Sequence, residues 1–432
     1  MKYYSTNNKN HQVDLKEAVF KGLALDKGLY MPRSFPVLEP AFFKKIKTLS
    51  FQELSLEVAM ALFGDDIPRN DLKRINDNAL DFETQLVKID DSLYSLELFH
   101  GPTMAFKDVG ARYMARMLGY FTRGYDREIH VLVATSGDTG SAVASGFLGV
   151  QGIRVHILYP KGLVSNIQEK QFTTLGENIT ALEIDGSFDD CQRMVKEAFV
   201  DKELNSKLTL TSANSINLAR LLPQSFYYFN AYRQLPVDKK KLVFSVPSGN
   251  FGNLTAGLIA KKMGLPVQLF LAATNINDVV PEYLKTGIYR PRPSVATVAN
   301  AMDVGDPSNF ARILDLYEGS QKAISNEIKG SAYTDKDIKK CISQVKQKYG
   351  YIPDPHGATA YLALSEFLPE NPGFNGVFLE TAHPAKFSDT VEDALGEPLS
   401  MPRKLAEFSM RVKVSINMSS KYTDLKNYLM NI

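Results

Sequence analysis

The chain holds 432 residues, 44% hydrophobic and 23% charged, ordinary for a globular protein long enough to bury a large core. A formal net charge of +2 excludes the long-range field that would draw nucleic acid or an acidic membrane. Two distant cysteines, Cys191 and Cys341, exclude a disulfide framework, and the six histidines show no metal-ligand spacing with them or with each other.

Length gives a soft expectation of about two to three domains. The basic runs Lys44-Lys45-Ile46-Lys47 and Lys239-Lys240-Lys241 read as solvated faces. The stretch Met1 to Asn8 lacks the apolar core of a signal peptide, and no apolar run is long enough to span a bilayer. The expected location is the cytoplasm, with no nucleic-acid, membrane or specific protein partner implied.

Residues 1–90 read as a mainly helical N-terminal domain. Apolar residues recur at helical spacing from Asp14 to Leu25 and from Phe51 to Phe63, where Gly64 follows. Gly28-Leu29-Tyr30-Met31-Pro32 is a turn leading into an extended piece. From about residue 90 the pattern becomes strand, glycine-rich turn, helix, repeated. Ile129 to Ala134, Val155 to Tyr159, Ile179 to Ile184, Leu208 to Thr211, Leu242 to Val246, Val267 to Ala272 and Gly376 to Leu379 read as strands. Helices are expected at Ser141 to Leu148, Phe188 to Val200, Ser215 to Gln234, Leu254 to Met263 and Asp335 to Tyr349. Apolar strands without alternation, separated by helices, indicate parallel sheet covered on both faces. The fold class is therefore α/β, built on open twisted parallel sheets with flanking helices. Ligands in such sheets sit beyond the carboxyl ends of the strands. Residues 401–432 read as a peripheral C-terminal segment.

Lys107 is the most informative residue. It lies in His100-Gly101-Pro102-Thr103-Met104-Ala105-Phe106-Lys107-Asp108, an apolar and turn-rich setting. An amine among apolar neighbours loses charge stability and becomes a usable nucleophile. Three Gly/Ser/Thr/Asn-rich loops follow it. Such an amine, beside loops that can hold a phosphate, points to a Schiff base with pyridoxal phosphate.

The first loop is Ser248-Gly249-Asn250-Phe251-Gly252-Asn253, between a strand and a helix. Its backbone N–H groups and the helix N-terminus make a phosphate cup. The same pattern serves a plain strand-to-helix connection with an N-cap, and spacing alone does not separate the two. Thr135-Ser136-Gly137-Asp138-Thr139-Gly140 is built likewise and suits a carboxylate, or a capping role. Thr381-Ala382-His383-Pro384-Ala385-Lys386 follows a strand end, where the Thr381 hydroxyl can meet a ring nitrogen. His383 reads better as a hydrogen-bonded structural histidine than as a base. Asn217 and Arg220, three apart at a helix start, can grip a phosphate monoester; otherwise they are an exposed surface pair.

Together these runs, with Asn214-Ser215-Ile216-Asn217 and the N-terminal Lys27-Gly28-Leu29-Tyr30-Met31-Pro32, resemble the threonine synthase family in order and spacing across nearly the whole chain. The likeness is to its longer bacterial and fungal type. The resemblance implies a tryptophan synthase β-like fold (fold type II) using pyridoxal 5'-phosphate. Residues 91–400 would be its catalytic region of two α/β subdomains, the smaller at about 110–230. The implied reaction converts O-phospho-L-homoserine and water to L-threonine and phosphate, the last step of threonine biosynthesis. By motif, Lys107 would be the Schiff-base lysine and general base. Gly249, Asn250, Phe251, Gly252 and Asn253 would hold the cofactor phosphate, and Thr381 would face the pyridine nitrogen. Thr135, Ser136, Gly137 and Thr139 would contact the substrate carboxylate or the ring, and Asn217 and Arg220 the substrate phosphate. Asp138 stands where many relatives of this fold carry asparagine against the ring hydroxyl. No metal is implied. Two competing expectations remain: a phospho-lyase releasing 2-oxobutyrate, and a non-catalytic metabolite binder on the same fold.

Overall fold

The unbroken apolar runs become the centres of two parallel sheets. The computed structural model describes residues 1–432. Near the N-terminus lie β1 (Tyr3–Ser5), β2 (Asn8–Val13) and β3 (Tyr30–Pro32), followed by β4 (Gln85–Asp90) and β5 (Leu93–Glu97). Next come β6 (Ile129–Ala134), β7 (Ile153–Pro160), β8 (Ile179–Asp185) and β9 (Thr209–Ser212). The last are β10 (Lys241–Pro247), β11 (Leu269–Thr274), β12 (Ile328–Ala332), β13 (Phe374–Glu380) and β14 (Ile416–Ser419).

The larger sheet has the order β12-β11-β10-β13-β5-β4, parallel except for antiparallel β4 at its edge. The smaller, β14-β8-β7-β6-β9, is parallel throughout. Every residue of β6 and β11 is buried, as are all but the first of β10 and β13. Buried on both faces, such strands cannot alternate, which is why their sequences read as continuous apolar runs.

Three regions differ from expectation. The N-terminal ninety residues carry the expected helices Leu15–Lys21, Phe51–Phe63 and Arg69–Ala79, but β1, β2 and β3 also form an antiparallel sheet. The helix expected over Ser215 to Gln234 is broken into Leu218–Leu221, a 3-10 turn at Leu222–Gln224, and Ser225–Gln234. Pro223 lacks an N–H and cannot continue a helical ladder. Residues 401–432, expected to be peripheral, supply β14 to the smaller sheet and the helix Tyr422–Met430. That helix buries Leu425 and Leu429 against Leu182 and Met194.

The loops that matter leave the carboxyl ends of β5, β6, β9, β10 and β13, where a parallel sheet presents its ligand site. Behind them sits Arg312, fully buried. Its guanidinium donates to the carbonyls of Tyr30 (3.1 Å), Ser215 (3.2 Å) and Ile216 (2.6 Å), and to Asn309 Oδ1 (2.6 Å). One side chain thus fastens the N-terminal sheet to the loop after β9. No carboxylate pairs with it, and burial pushes its pKa down to about 9. Arg312→Met would leave three backbone carbonyls without this donor, at a cost of roughly 3 kcal/mol. The check is chemical denaturation, with a lowered midpoint at unchanged slope expected; an unchanged midpoint would contradict the assigned role.

Candidate active site

Lys107 is the first residue of the helix Lys107–Phe121. The segment before it is strapped to the turn after β13. Phe106 N–H donates to the Thr381 carbonyl (2.8 Å), His383 N–H donates to the Met104 carbonyl (3.1 Å), and Ala105 bridges Ala382. Met104 adopts the left-handed conformation that lets the chain turn there. Asp108, buried, accepts from Thr103 N–H (3.0 Å) and Thr103 Oγ1 (2.6 Å), closing the loop on itself. Tyr227 donates its hydroxyl to the Phe106 carbonyl, and neighbouring Tyr228 donates to the Asn253 carbonyl (2.6 Å). One helix, Ser225–Gln234, therefore braces both the Lys107 loop and the loop after β10.

The loop after β10 carries the donors that a phosphate needs. The backbone N–H groups of Gly249, Asn250, Phe251, Gly252 and Asn253 have no acceptor within the protein. Phe251 is left-handed at φ 61°, which turns the chain into the helix Gly252–Lys262. A Cβ at Gly249 would come within 2.6 Å of the Ala301 carbonyl oxygen and 2.7 Å of Met302 Cα, so only glycine lets the loop lie this close. The side chains of the two asparagines serve the loop rather than its hollow. Asn253 donates to the Pro247 carbonyl (2.8 Å), while Asn250 donates to Ser215 Oγ (2.8 Å) and accepts from Ser308 N–H (2.6 Å). Unpaired N–H groups at a helix start, with no side-chain cation needed, fit a phosphate monoester.

The loop after β6 repeats the device on a smaller scale. Ser136, Asp138 and Thr139 have backbone N–H groups without protein acceptors, and the Ser136 and Thr139 side chains are half-buried. Thr135 is different. Its hydroxyl oxygen accepts from Gly137 N–H (3.0 Å) and Gly140 N–H (2.8 Å), so it shapes the loop from within. Gly137, at φ 141°, lies against the Gln168 amide, where a Cβ would find no room.

Asp138 is 6% exposed and ionically paired. Its Oδ1 is 2.6 Å from Lys386 Nζ and accepts from Gln168 Nε2 (2.8 Å). Lys386 is itself buried and also donates to the Thr103 carbonyl (2.9 Å). Burial alone would raise the Asp138 carboxyl; the charges of Lys386 and Lys107 and the two hydrogen bonds outweigh it and hold the group well below the usual range. Burial pushes the Lys107 amine down to about 8, with Asp138 pulling upward and Arg220 and Lys386 pushing further down. No protein group hydrogen-bonds or ion-pairs with the Lys107 amine, and the Thr381 hydroxyl also lacks a partner.

Asn217 and Arg220 are both buried, so the exposed-pair alternative falls. Asn217 is nevertheless turned away from the cleft. Its amide donates to the Val19 (2.9 Å) and Ser212 (3.2 Å) carbonyls, and its oxygen caps Ala219 N–H (3.0 Å). A capping asparagine and a ligand-binding one share the same spacing, so the sequence could not separate them. Arg220 donates to the Ala213 carbonyl and has other guanidinium N–H groups without partners. Ser215, at the start of that run, accepts from Asn250 (2.8 Å) and Asn309 (3.1 Å), leaving its own proton to donate. His383 is structural: burial lowers its pKa to about 4, and Nδ1 accepts from Ala385 N–H (3.1 Å). A cleft of about 400 Å³, lined by Gln168, Thr297, Asn300, Lys386 and Ser388 among others, opens beside the Asp138–Lys386 pair.

A neutralisable lysine, a phosphate cup and an unpartnered hydroxyl at a strand end together fit pyridoxal phosphate. The class is borne out by comparison. Residues 80–373 match the family model described as "Pyridoxal-phosphate dependent enzyme". Residues 2–80 match "Threonine synthase N terminus", and residues 357–429 match "Threonine synthase, C-terminal". The threonine synthase of Escherichia coli (strain K12) is 44% identical over 432 residues, covering all of both chains. Its crystal structure superimposes with a TM-score of 0.93 over the full length of both. A PLP-bound threonine synthase from Brucella melitensis, 34% identical, gives 0.92 over 100% of this chain and 99% of that one. The chain belongs to the threonine synthase family.

Sequence reasoning missed the partnership of Lys386 and Gln168 with Asp138, and the bracing by Tyr227 and Tyr228. The available signal for Lys386 was a lone lysine in the apolar run Pro384-Ala385-Lys386-Phe387. Lys386→Met should raise the Lys107 pKa, because it removes a repelling cation and frees the Asp138 carboxylate to attract one. The pH at which the apoprotein's Lys107 becomes half-reactive toward a small aldehyde should lie near 8 in the wild type and higher in the variant. A midpoint that stays put or falls would contradict this electrostatic picture.

Proposed function

We propose that this chain converts O-phospho-L-homoserine and water to L-threonine and phosphate, with pyridoxal 5'-phosphate held on Lys107. The observation that supports the site assignment is that one helix, Ser225–Gln234, braces both the loop carrying the unpaired Lys107 amine and the loop whose five N–H groups, Gly249 to Asn253, have no acceptor in the protein. When bound, the cofactor supplies a conjugated ring able to take up electron pairs released at the substrate's carbons.

The protein's own groups do the rest. The N–H groups of Ser136, Asp138 and Thr139 hold the substrate carboxylate, aided by the Ser136 and Thr139 hydroxyls. Thr135 and Gly137 act by shaping that loop. Arg220 and Ser215 hold the substrate phosphate, and Asn217 keeps Arg220 at the helix start. Lys107, neutral for much of the time near pH 8, takes the proton from the substrate's Cα and can carry it onward to Cγ. A second proton leaves Cβ as phosphate departs from Cγ, with Arg220 stabilising the leaving phosphate. Cγ is reprotonated, and water then adds its hydroxyl at Cβ and a proton at Cα. The Thr381 hydroxyl would meet the ring nitrogen without bringing a full charge to it. Asp138, held ionised by Lys386, would lie beside the ring. Residues 1–90 pack on a catalytic region of two subdomains, the smaller at about 110–230 and completed by β14 and the helix Tyr422–Met430 from residues 401–432. The absence of any helix long and apolar enough to cross a membrane, and two buried unpaired cysteines, suit a cytoplasmic site of action.

Lys107→Ala should abolish turnover and the cofactor's covalent attachment, measured by phosphate release and by the bound cofactor's absorption band. Full activity in that variant would overturn the assignment. Product analysis separates threonine, expected here, from the 2-oxobutyrate of a phospho-lyase. Arg220→Ala should raise KM at least tenfold, about 1.4 kcal/mol, while leaving cofactor affinity nearly unchanged, because its charge-assisted contact is to substrate. Equal loss of cofactor would move Arg220 out of that role.

A further inference from the structure

We propose that Asp354 and His356 form a positioning pair that sets the spacing between the Thr381 turn and the phosphate loop after β10. This rests on the cofactor assignment above, since Thr381 and that loop would meet two ends of one rigid ring system.

Both residues are buried, Asp354 at 0% and His356 at 3% exposure. Asp354 Oδ2 accepts from Ala382 N–H (3.2 Å), the residue after Thr381. Its Oδ1 lies 2.6 Å from His356 Nδ1 and also accepts from His356 N–H (2.6 Å). On the far side, His356 Nε2 accepts from Ala301 N–H (3.2 Å). Ala301 and Met302 form the wall against which Gly249 is pressed. A continuous chain therefore runs from the Thr381 turn through Asp354, His356 and Ala301 to the first glycine of the cup. Phe387 packs edge-on against the imidazole, with ring centroids 4.9 Å apart, and holds its plane.

The chain admits one tautomer only. Because Nε2 accepts from Ala301, the ring proton must sit on Nδ1 and be donated to Asp354. Glu380 Oε1 accepts Asp354 N–H, and burial, followed by the Asp354 charge, raises the Glu380 carboxyl well above the usual range.

Asp354 is also the N-cap of the helix Pro355–Glu370, accepting from His356 N–H. A capping role alone would explain its burial, and the two roles make opposite predictions. Asparagine caps as well as aspartate, so Asp354→Asn should be harmless if capping is all that matters. In the chain described here it cannot be harmless. An asparagine with its oxygen toward His356 turns its NH₂ toward the Ala382 N–H. Flipped, it presents NH₂ to Nδ1, forces the proton to Nε2, and sets two donors face to face at Ala301.

The test titrates pyridoxal phosphate into apoprotein, following the bound cofactor's absorption band, and measures substrate KM on the loaded enzyme. Asp354→Asn and His356→Ala should each weaken cofactor affinity on the order of tenfold, the size typical of groups that orient a ligand's direct contacts. Both should shift the absorption band and leave substrate KM within about twofold, because the Ser136–Thr139 loop and Arg220 are untouched. The double variant should be no worse than either single one. His356→Gln keeps one acceptor and one donor and should recover most of the affinity. Wild-type affinity and band position in Asp354→Asn would overturn the proposal and leave Asp354 a helix cap. Failure of the wild-type protein itself to take up the cofactor would instead overturn the functional assignment, and the pair's role with it.

Discussion

The site depends on one electrostatic arrangement: a lysine amine held among charges that do not bond to it. Lys107 lies within the influence of Asp138, Arg220 and Lys386, yet hydrogen-bonds to none of them. Had Asp138 been free, it would have captured Lys107 as an ordinary buried ion pair, and the amine would have been locked in its charged form. Lys386 prevents this by occupying the carboxylate itself at 2.6 Å. A buried pair of this kind adds little net stability, because desolvation offsets most of its attraction. Its value lies in leaving the third group, Lys107, unpaired and easily neutralised.

The surrounding scaffold holds four loops in register around that amine. The antiparallel bridge between Ala105 and Ala382 fixes Lys107 relative to Thr381. Tyr227 and Tyr228 fix the Lys107 loop relative to the cup. Arg312, through Asn309 and Ser215, reaches the Asn250 side chain from behind. Each brace is a hydrogen bond to a backbone carbonyl or a neutral side chain. The Arg312 guanidinium is the one charge among them, and the charges that act on Lys107 are those of Asp138, Arg220 and Lys386.

Much of this was legible in the amino-acid sequence, and for a physical reason. The parallel strands betray themselves by apolar runs, and the loops at their carboxyl ends by glycines and small hydroxylic residues. Lys107, the cup at Gly249 to Asn253 and the loop at Ser136 to Thr139 all belong to contiguous runs whose chemistry is local. The illegible parts are those that need distant residues to meet. Asp138 and Lys386 come from opposite halves of the chain, and nothing in either neighbourhood names the other. Asn217 looked like a ligand because a cap and a ligand share one spacing. Strands of three residues, such as β1 and β3, are too short to show a period, so the N-terminal sheet stayed hidden. Asp354 and His356 escaped because an Asp-Pro-His run at a helix start already has a sufficient local explanation.

The central claim is that Lys107 and the cup at Gly249 to Asn253 hold one cofactor between them. Borohydride reduction of the cofactor-saturated protein, followed by peptide mass spectrometry, tests it most directly. A phosphopyridoxyl mass on the peptide bearing Lys107, and on no other lysine, is the expected result. An unmodified Lys107, or the same mass on Lys386, would contradict it.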